Sequence, residues 1–118
     1  MTITLHHITE SLNLIVATGE DLLERGVCGG YAGDLLSDVL AHAKKGDVWI
    51  TLQTHPNIVA VASAKELCGV VVVNGRTPVP ETLRKAEEEH IPIMVSPLAT
   101  YDLVCRLGEL GVKNCEGV

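Results

Sequence analysis

The feature that most constrains this chain is a strand–helix unit used over and over. It opens with the run Val27-Cys28-Gly29-Gly30-Tyr31-Ala32-Gly33-Asp34 and passes straight into Leu35-Leu36-Ser37-Asp38-Val39-Leu40. The run reads as a strand that ends in a glycine-rich turn and opens a helix. Glycine permits backbone geometry and close approach that side chains forbid, and a helix start offers unpaired N–H groups to an anion. Three more strand–helix units follow at intervals of roughly twenty residues.

The helix from about Asp34 to Ala43 is read as burying Leu35, Leu36, Val39, Leu40 and Ala43, and it closes at Lys44-Lys45-Gly46. Asp47 to Leu52 forms the next strand. Pro56 stands where a first helical turn tolerates it, and Ile58 to Lys65 continues that helix. Gly69 to Val73 shows no polar alternation, which predicts a strand covered on both faces. Pro80 opens a helix over Glu81 to His90, with Glu81/Lys85 and Arg84/Glu88 pairs four residues apart. Ile91 to Val95 is the last strand. Its Pro92 lacks an N–H, which favours an edge position or the first residues of the strand. The closing helix carries Leu98, Leu103, Val104, Leu107 and Leu110 and stops at Gly111.

Upstream of the repeat, Thr4 is placed to cap a helix whose Leu5, Ile8 and Leu12 recur at helical spacing. Leu14 to Ala17 is a short strand ended by Thr18-Gly19, and Glu20 to Gly26 a polar connection. Residues 113–118 read as a loose tail. The fold class is therefore α/β: a single domain over residues 1–118, with a mostly parallel central sheet of about five strands flanked by helices on both faces.

Composition narrows the function classes. The 118 residues suffice for one domain and are too few for two. The net charge is −6, and no basic cluster exceeds Lys44-Lys45 or Arg84-Lys85. Phosphate neutralisation dominates nucleic-acid affinity, so DNA and RNA are disfavoured. Tyr31, Trp49 and Tyr101 are scattered and build no stacking platform. The apolar runs are too short for a bilayer, and the start lacks the parts of a signal peptide. A cytoplasmic protein without membrane contact is expected. A mean hydropathy of +0.28 in so small a domain leaves apolar surface to cover, which points to a homodimer.

Cys28, Cys68, Cys105 and Cys115 contain no C-x-x-C pair and no zinc spacing, so no metal or cofactor is expected. Cys68 and Cys105 read as buried and slow to react. Cys28, near a helix start, and Cys115, in the tail, are expected to react first with a thiol reagent. Of five histidines, His6 and His7 diverge on a helix, and His42 and His90 close helices. Only His55 falls at a strand's carboxyl end.

Parallel strands gather their carboxyl ends along one edge, where ligands of such folds usually sit. Four loops meet there: Cys28 to Gly33, Gln53 to Asn57, Asn74 to Thr77, and Ser96 to Thr100. The ligand-binding candidates are Gly29, Gly30, Thr54, His55, Asn74, Arg76 and Thr100. Arg76 is the cation of these loops and the natural partner of a phosphate or carboxylate. The same residue types also cap helices and form turns. The glycine run matches neither G-x-x-x-x-G-K-[ST] nor G-x-G-x-x-G. Asp34 at its end favours a helix cap and repels phosphate. No catalytic set is evident.

The chain resembles the DRTGG domain over nearly its whole length, particularly the short stand-alone members. The stretches that carry the likeness are Gly29-Gly30-Tyr31-Ala32-Gly33-Asp34-Leu35-Leu36-Ser37, Gly46-Asp47-Val48-Trp49-Ile50-Thr51 and Glu87-Glu88-Glu89-His90-Ile91-Pro92-Ile93. The resemblance implies a layered α/β domain related to the N-terminal domain of HPr kinase/phosphorylase and lacking the kinase site. Other members accompany CBS nucleotide-sensing domains in family II pyrophosphatases or occur in phosphotransacetylase-type proteins. Stand-alone members lie near iron-only hydrogenases, which implies a hydrogenase-related protein partner. Thr54-His55 stands where the family has Asp-Arg, and Val73-Asn74-Gly75 where it has Thr-Gly-Gly.

The function expected is a non-enzymatic regulatory or assembly module that binds a small anionic ligand, a nucleotide or phosphorylated metabolite, at the strand edge. The alternatives are a small transferase or hydrolase using His55, and a thiol or metal sensor using Cys28.

Overall fold

Apolar stretches that cover both faces of a strand leave helices no choice but to pack above and below it, and the computed structural model, which describes residues 2–114, has that arrangement. The elements in chain order are α1 (Leu5–Leu12), β1 (Ile15–Thr18), a 3-10 turn (Glu20–Leu22), β2 (Gly29–Ala32), α2 (Leu36–His42), β3 (Asp47–Thr51), α3 (Asn57–Ala64), β4 (Gly69–Val72), α4 (Pro80–Glu89), β5 (Ile93–Val95) and α5 (Thr100–Glu109). The strands lie in the order β1-β5-β4-β3-β2. Strands β2 to β5 are mutually parallel, and β1 runs antiparallel to β5.

Side chains of a strand alternate between faces, and two apolar clusters result. Trp49, Val70, Val72 and Ile93 pack with Val39 of α2, Ile58 and Ala62 of α3, and Ala86 of α4. Val48, Ile50, Val71 and Met94 pack with Leu5 and Ile8 of α1 and Leu103 and Leu107 of α5. Strand β4 is buried at every residue, as its unbroken valine run predicts. Trp49, the largest fully buried side chain, donates its indole N–H to the carbonyl of Gly33 at 2.8 Å. Its one polar atom is thereby satisfied inside the core. Thr4 caps α1 as expected, its hydroxyl accepting from His7 N.

The glycine run is a strand and not a turn. Gly29, Gly30, Tyr31 and Ala32 lie opposite Asp47, Val48, Trp49 and Ile50 of β3. The backbone groups along β3 need a partner on that side, and the ladder outweighs the turn preference of glycine. Helix α2 consequently starts at Leu36. Leu35 is left 68% exposed and Leu40 44% exposed, so neither belongs to the core. In α5 the buried positions are Leu103 and Leu107, one turn apart, which leaves Val104 40% exposed and Cys105 exposed as well. Pro92 just precedes β5, an interior strand, so of its two expected placements the start of the strand is the one realised. Its carbonyl still accepts from Val70 N at 2.9 Å.

The reversed direction of β1 rests on Thr18 and Gly19. The β1–β5 register slips between Val16 and Thr18. At the slip the buried Thr18 hydroxyl donates to Ile91 O (2.8 Å) and accepts from Ile93 N (2.9 Å), filling in for ladder bonds. Gly19 follows at φ +78°, and a Cβ there would lie 2.8 Å from Pro92 Cα. Both the left-handed backbone and the contact with main chain require glycine.

The thiols differ sharply. Cys68 is buried, and that burial, reinforced by the Asp47 carboxylate, pushes its pKa up from 9.0 to about 12. Cys105 is free and exposed. Cys28 is disulfide-bonded and is not a reactive thiol, whereas Cys115 lies outside the described residues.

Gly19→Ala should destabilise the domain by about 2 kcal/mol or more, lowering Tm by roughly 5–10 °C. Gly108→Ala, in an exposed helix where a Cβ meets nothing within 4 Å, should raise stability by about 0.5–1 kcal/mol; thermal unfolding of both variants checks the pair. In native protein Cys105 should react with a thiol reagent well before Cys68. Between pH 9.0 and about 12 the native Cys68 keeps a proton that the unfolded chain has lost, so stability must fall as pH rises through that window. Unfolding titrations should show a shallower fall in Cys68→Ala.

Candidate functional site

Strands β2 to β5, being parallel, direct their carboxyl ends to one edge, and α2 to α5 begin there. Each loop on this edge is held by a short polar network. After β2, Asp34 reaches sideways to β3. Its Oδ1 accepts from Leu52 N at 2.7 Å and from the Thr51 hydroxyl at 2.9 Å. The Gln53 amide donates back to Asp34 O at 2.8 Å. Asp34 is therefore not the helix cap read from the sequence; the N-cap of α2 is Leu35, with no side-chain hydrogen bond. The carboxylate instead ties two neighbouring loops together.

After β3, Nδ1 of His55 accepts from Asn57 N at 3.1 Å and so covers one of the unpaired N–H groups at the start of α3. An accepting Nδ1 is unprotonated, which leaves the proton of the neutral ring on Nε2. Thr54 is half-buried and works through its main chain. Its carbonyl accepts from the Thr82 hydroxyl (2.7 Å) and from Val79 N (3.3 Å), docking the start of α4 onto the β3 loop.

After β4, Asn74 and Gly75 both have positive φ, 60° and 64°, and Arg76 N closes the turn onto Val73 O at 3.2 Å. Asn-Gly is the pair that tolerates two left-handed residues in succession. Asn74 N and Gly75 N bond to Leu98 O and Ser96 O at 2.8 Å each, so this turn rests against the β5–α5 loop. Asn74 and Arg76 are exposed, and Arg76 forms no ion pair among the described residues. After β5, buried Ser96 accepts from Leu98 N at 3.1 Å, and half-buried Thr100 is the first residue of α5. The N-caps of α4 and α5, Val79 and Ala99, make no side-chain hydrogen bond.

Thr54, His55, Asn74, Arg76 and Thr100 thus share one edge. Gly29 and Gly30 do not: they lie opposite Asp47 and Val48, at the start of the strands. Asp34 and Thr82, neither of them a ligand candidate from the sequence, organise the edge together with Gln53 and Ser96. Nothing in their spacing links them, because each bond joins residues from different loops or elements or depends on a tight turn.

A cleft of about 550 Å³ lies toward the opposite end of the sheet and is lined by Arg25, Lys45, Glu66, Cys68 and His90 among others. A groove of about 160 Å³ beside β2 is lined by Gly30, Ala32 and Ile50 of the sheet, Val104 and Leu107 of α5, and Val112 to Asn114 after it. Among the described residues no three His, Cys, Asp or Glu side chains are grouped to hold a metal. No described helix is long and apolar enough to cross a membrane.

No family model matches the sequence, and no curated protein sequence matches it. A solved structure does: the CBS and DRTGG domains of the regulatory region of Clostridium perfringens pyrophosphatase, complexed with its activator, diadenosine tetraphosphate. The match has a TM-score of 0.70 at 18% sequence identity and takes in 88% of this chain. It takes in 45% of the other chain, so this protein spans less than half the length of that regulatory region. The five-stranded mixed sheet with helices on both faces is a DRTGG-like fold.

Proposed function

We propose that this protein is a non-enzymatic regulatory or assembly module that binds a small phosphate-bearing ligand, a nucleotide or phosphorylated metabolite, at the carboxyl edge of its sheet. The observation that carries the reading is the setting of Arg76. Its guanidinium is exposed beside a rigid Asn74-Gly75 turn, has no carboxylate partner among the described residues, and shares an edge with the starts of α4 and α5. Helix starts without side-chain caps carry partial positive charge, and an arginine beside them adds a fork that fits two phosphate oxygens. Thr54, His55, Asn74 and Thr100 supply the surrounding polar groups.

The solved relative in fold supports the class, since it is a regulatory region crystallised with a nucleotide activator. His55 does not stand as a catalytic base: its Nδ1 is already held by Asn57 N. Cys28 is disulfide-bonded and so offers no free thiol. A homodimer in the cytoplasm, and a protein partner of the hydrogenase-related kind that the family resemblance implies, complete the proposal.

The experiment is a thermal-shift screen of adenine and guanine nucleotides, dinucleoside polyphosphates and sugar phosphates on the wild-type protein and on Arg76→Ala. A ligand present at one hundred times its Kd should stabilise the folded state by about 2.7 kcal/mol. Arg76→Ala should weaken that ligand at least tenfold while leaving the Tm of the free protein within about 1 °C of wild type, as expected for an exposed side chain. Absence of any shift, or an equal shift in the variant, would overturn the assignment of the edge.

A further inference from the structure

The amino ends of the parallel strands carry chemistry of their own. Strands β2 to β5 begin there and helices α2, α3 and α4 finish there, so several loops close round the cleft of about 550 Å³. Arg25 comes from the segment before β2, Lys45 from the α2–β3 loop, Glu66 from the α3–β4 loop, and Glu89 and His90 from the end of α4. Main-chain bonds fasten the loops to one another: Gly46 N donates to Glu66 O at 3.0 Å, and Cys68 N to Asp47 O at 2.9 Å. Buried Leu67 and Ile91 supply apolar lining.

Charge in this cleft is paired at one place and left apart at another. Lys45 and Glu66 form an exposed ion pair at 3.8 Å. Arg25 and Glu89 line the same cleft and do not reach each other. Arg25 is half-buried, and neither its guanidinium nor the Glu89 carboxylate makes an ion pair or a side-chain hydrogen bond among the described residues. The guanidinium is close enough to Cys68, another lining residue, to favour its thiolate against the burial that opposes it. The positive charge therefore belongs to the cleft and not to open solvent. The ends of α3 and α4 add partial negative charge to that of Glu89.

We infer that this cleft binds a small zwitterion of the free amino-acid class, with its carboxylate on Arg25 and its ammonium on Glu89 and the carbonyls that end α4. Arginine presents a carboxylate with two parallel N–H donors. An ammonium has three donors and no acceptor, which suits a carboxylate beside helix carbonyls. The mixed lining opposes the other classes of ligand. A polyphosphate would meet Glu66 and Glu89, and a simple cation would meet Arg25 and Lys45. A molecule that carries both charges satisfies both walls, and its carbon chain has Leu67 and Ile91 to lie against. The site is at the other end of the strands from Arg76 and stands independently of the ligand proposed for that edge.

The test is saturation-transfer NMR on the full chain with each of the common amino acids at about 10 mM, enough to detect a millimolar Kd. At least one should bind saturably and move the amide signals of Gly26, Gly46 and Leu67, which line the cleft, more than those of Asn74 and Gly75. Its methyl ester lacks the carboxylate and its N-acetyl derivative lacks the ammonium; each should bind at least tenfold more weakly, as the loss of one charge-assisted hydrogen bond predicts. Glu89→Gln should weaken the amino acid to the same degree with a Tm no lower than wild type, since an exposed carboxylate at a helix end contributes nothing to stability. Arg25→Gln should weaken it equally; if that variant unfolds, the methyl ester tests the same contact from the side of the ligand. Arg76→Ala should bind the amino acid as wild type does, which separates this site from the carboxyl edge. The inference is overturned if no amino acid binds saturably. It is equally overturned if either derivative binds as tightly as its parent, or if the shifted amides are those of the carboxyl edge.

Discussion

Everything in this domain depends on two central strands, β3 and β4, from which water is excluded on both faces. All nine of their residues are buried. Backbone N–H and C=O groups in such a place must be paired, so each strand demands a neighbour on either side. That demand recruits β5 on one flank. On the other it recruits β2, a segment of two glycines, a tyrosine and an alanine that would not otherwise hold an extended conformation. The helices are equally obligatory. Valines at 70 and 72 need α3 and α4 above them, while Val71 and Met94 need α1 and α5 below.

The carboxyl edge is a secondary product of that core. Its loops are short, and polar bonds fasten each to the next. Asp34 grips the end of β3, Thr54 O takes the hydroxyl of Thr82 in α4, and the Asn74-Gly75 turn rests on Ser96 O and Leu98 O. Most polar atoms of the edge are thereby committed to structure. The exposed guanidinium of Arg76 stands apart, held at the end of a turn whose main chain is fixed at both residues. An edge with this division of labour is fastened by hydrogen bonds where the chain turns and leaves the Arg76 side chain exposed.

Several elements were legible because a single local rule governed them. The valine run of β4, Thr4 at the start of α1, Pro80 at the start of α4 and the Asn-Gly turn each follow from residues within four positions of one another. What could not be read is what distant residues decide. The strand character of Gly29 and Gly30 comes from β3, some eighteen residues on. The antiparallel sense of β1 comes from β5, and the bridging role of Asp34 from Thr51 and Leu52. Val104 and Cys105 misled for a different reason: apolar residues flanking a narrow helical stripe extend the apparent stripe, and only packing shows where it ends.

The bond between Thr18 and Ile93 spans 75 positions of sequence, and that distance bears on how the molecule is made. Units β2 to β5 each pair with the strand just before or after them in the chain, so their contacts close short loops. Joining β1 to β5 closes a loop of 75 positions, at an entropic cost that is recovered only when the partner surface already exists. During synthesis the first strand leaves the ribosome early and must wait for the last one. Its apolar residues Val16 and Ala17 stay unshielded through that interval, which makes the amino-terminal hairpin of α1 and β1 the segment most dependent on the rest of the chain arriving promptly.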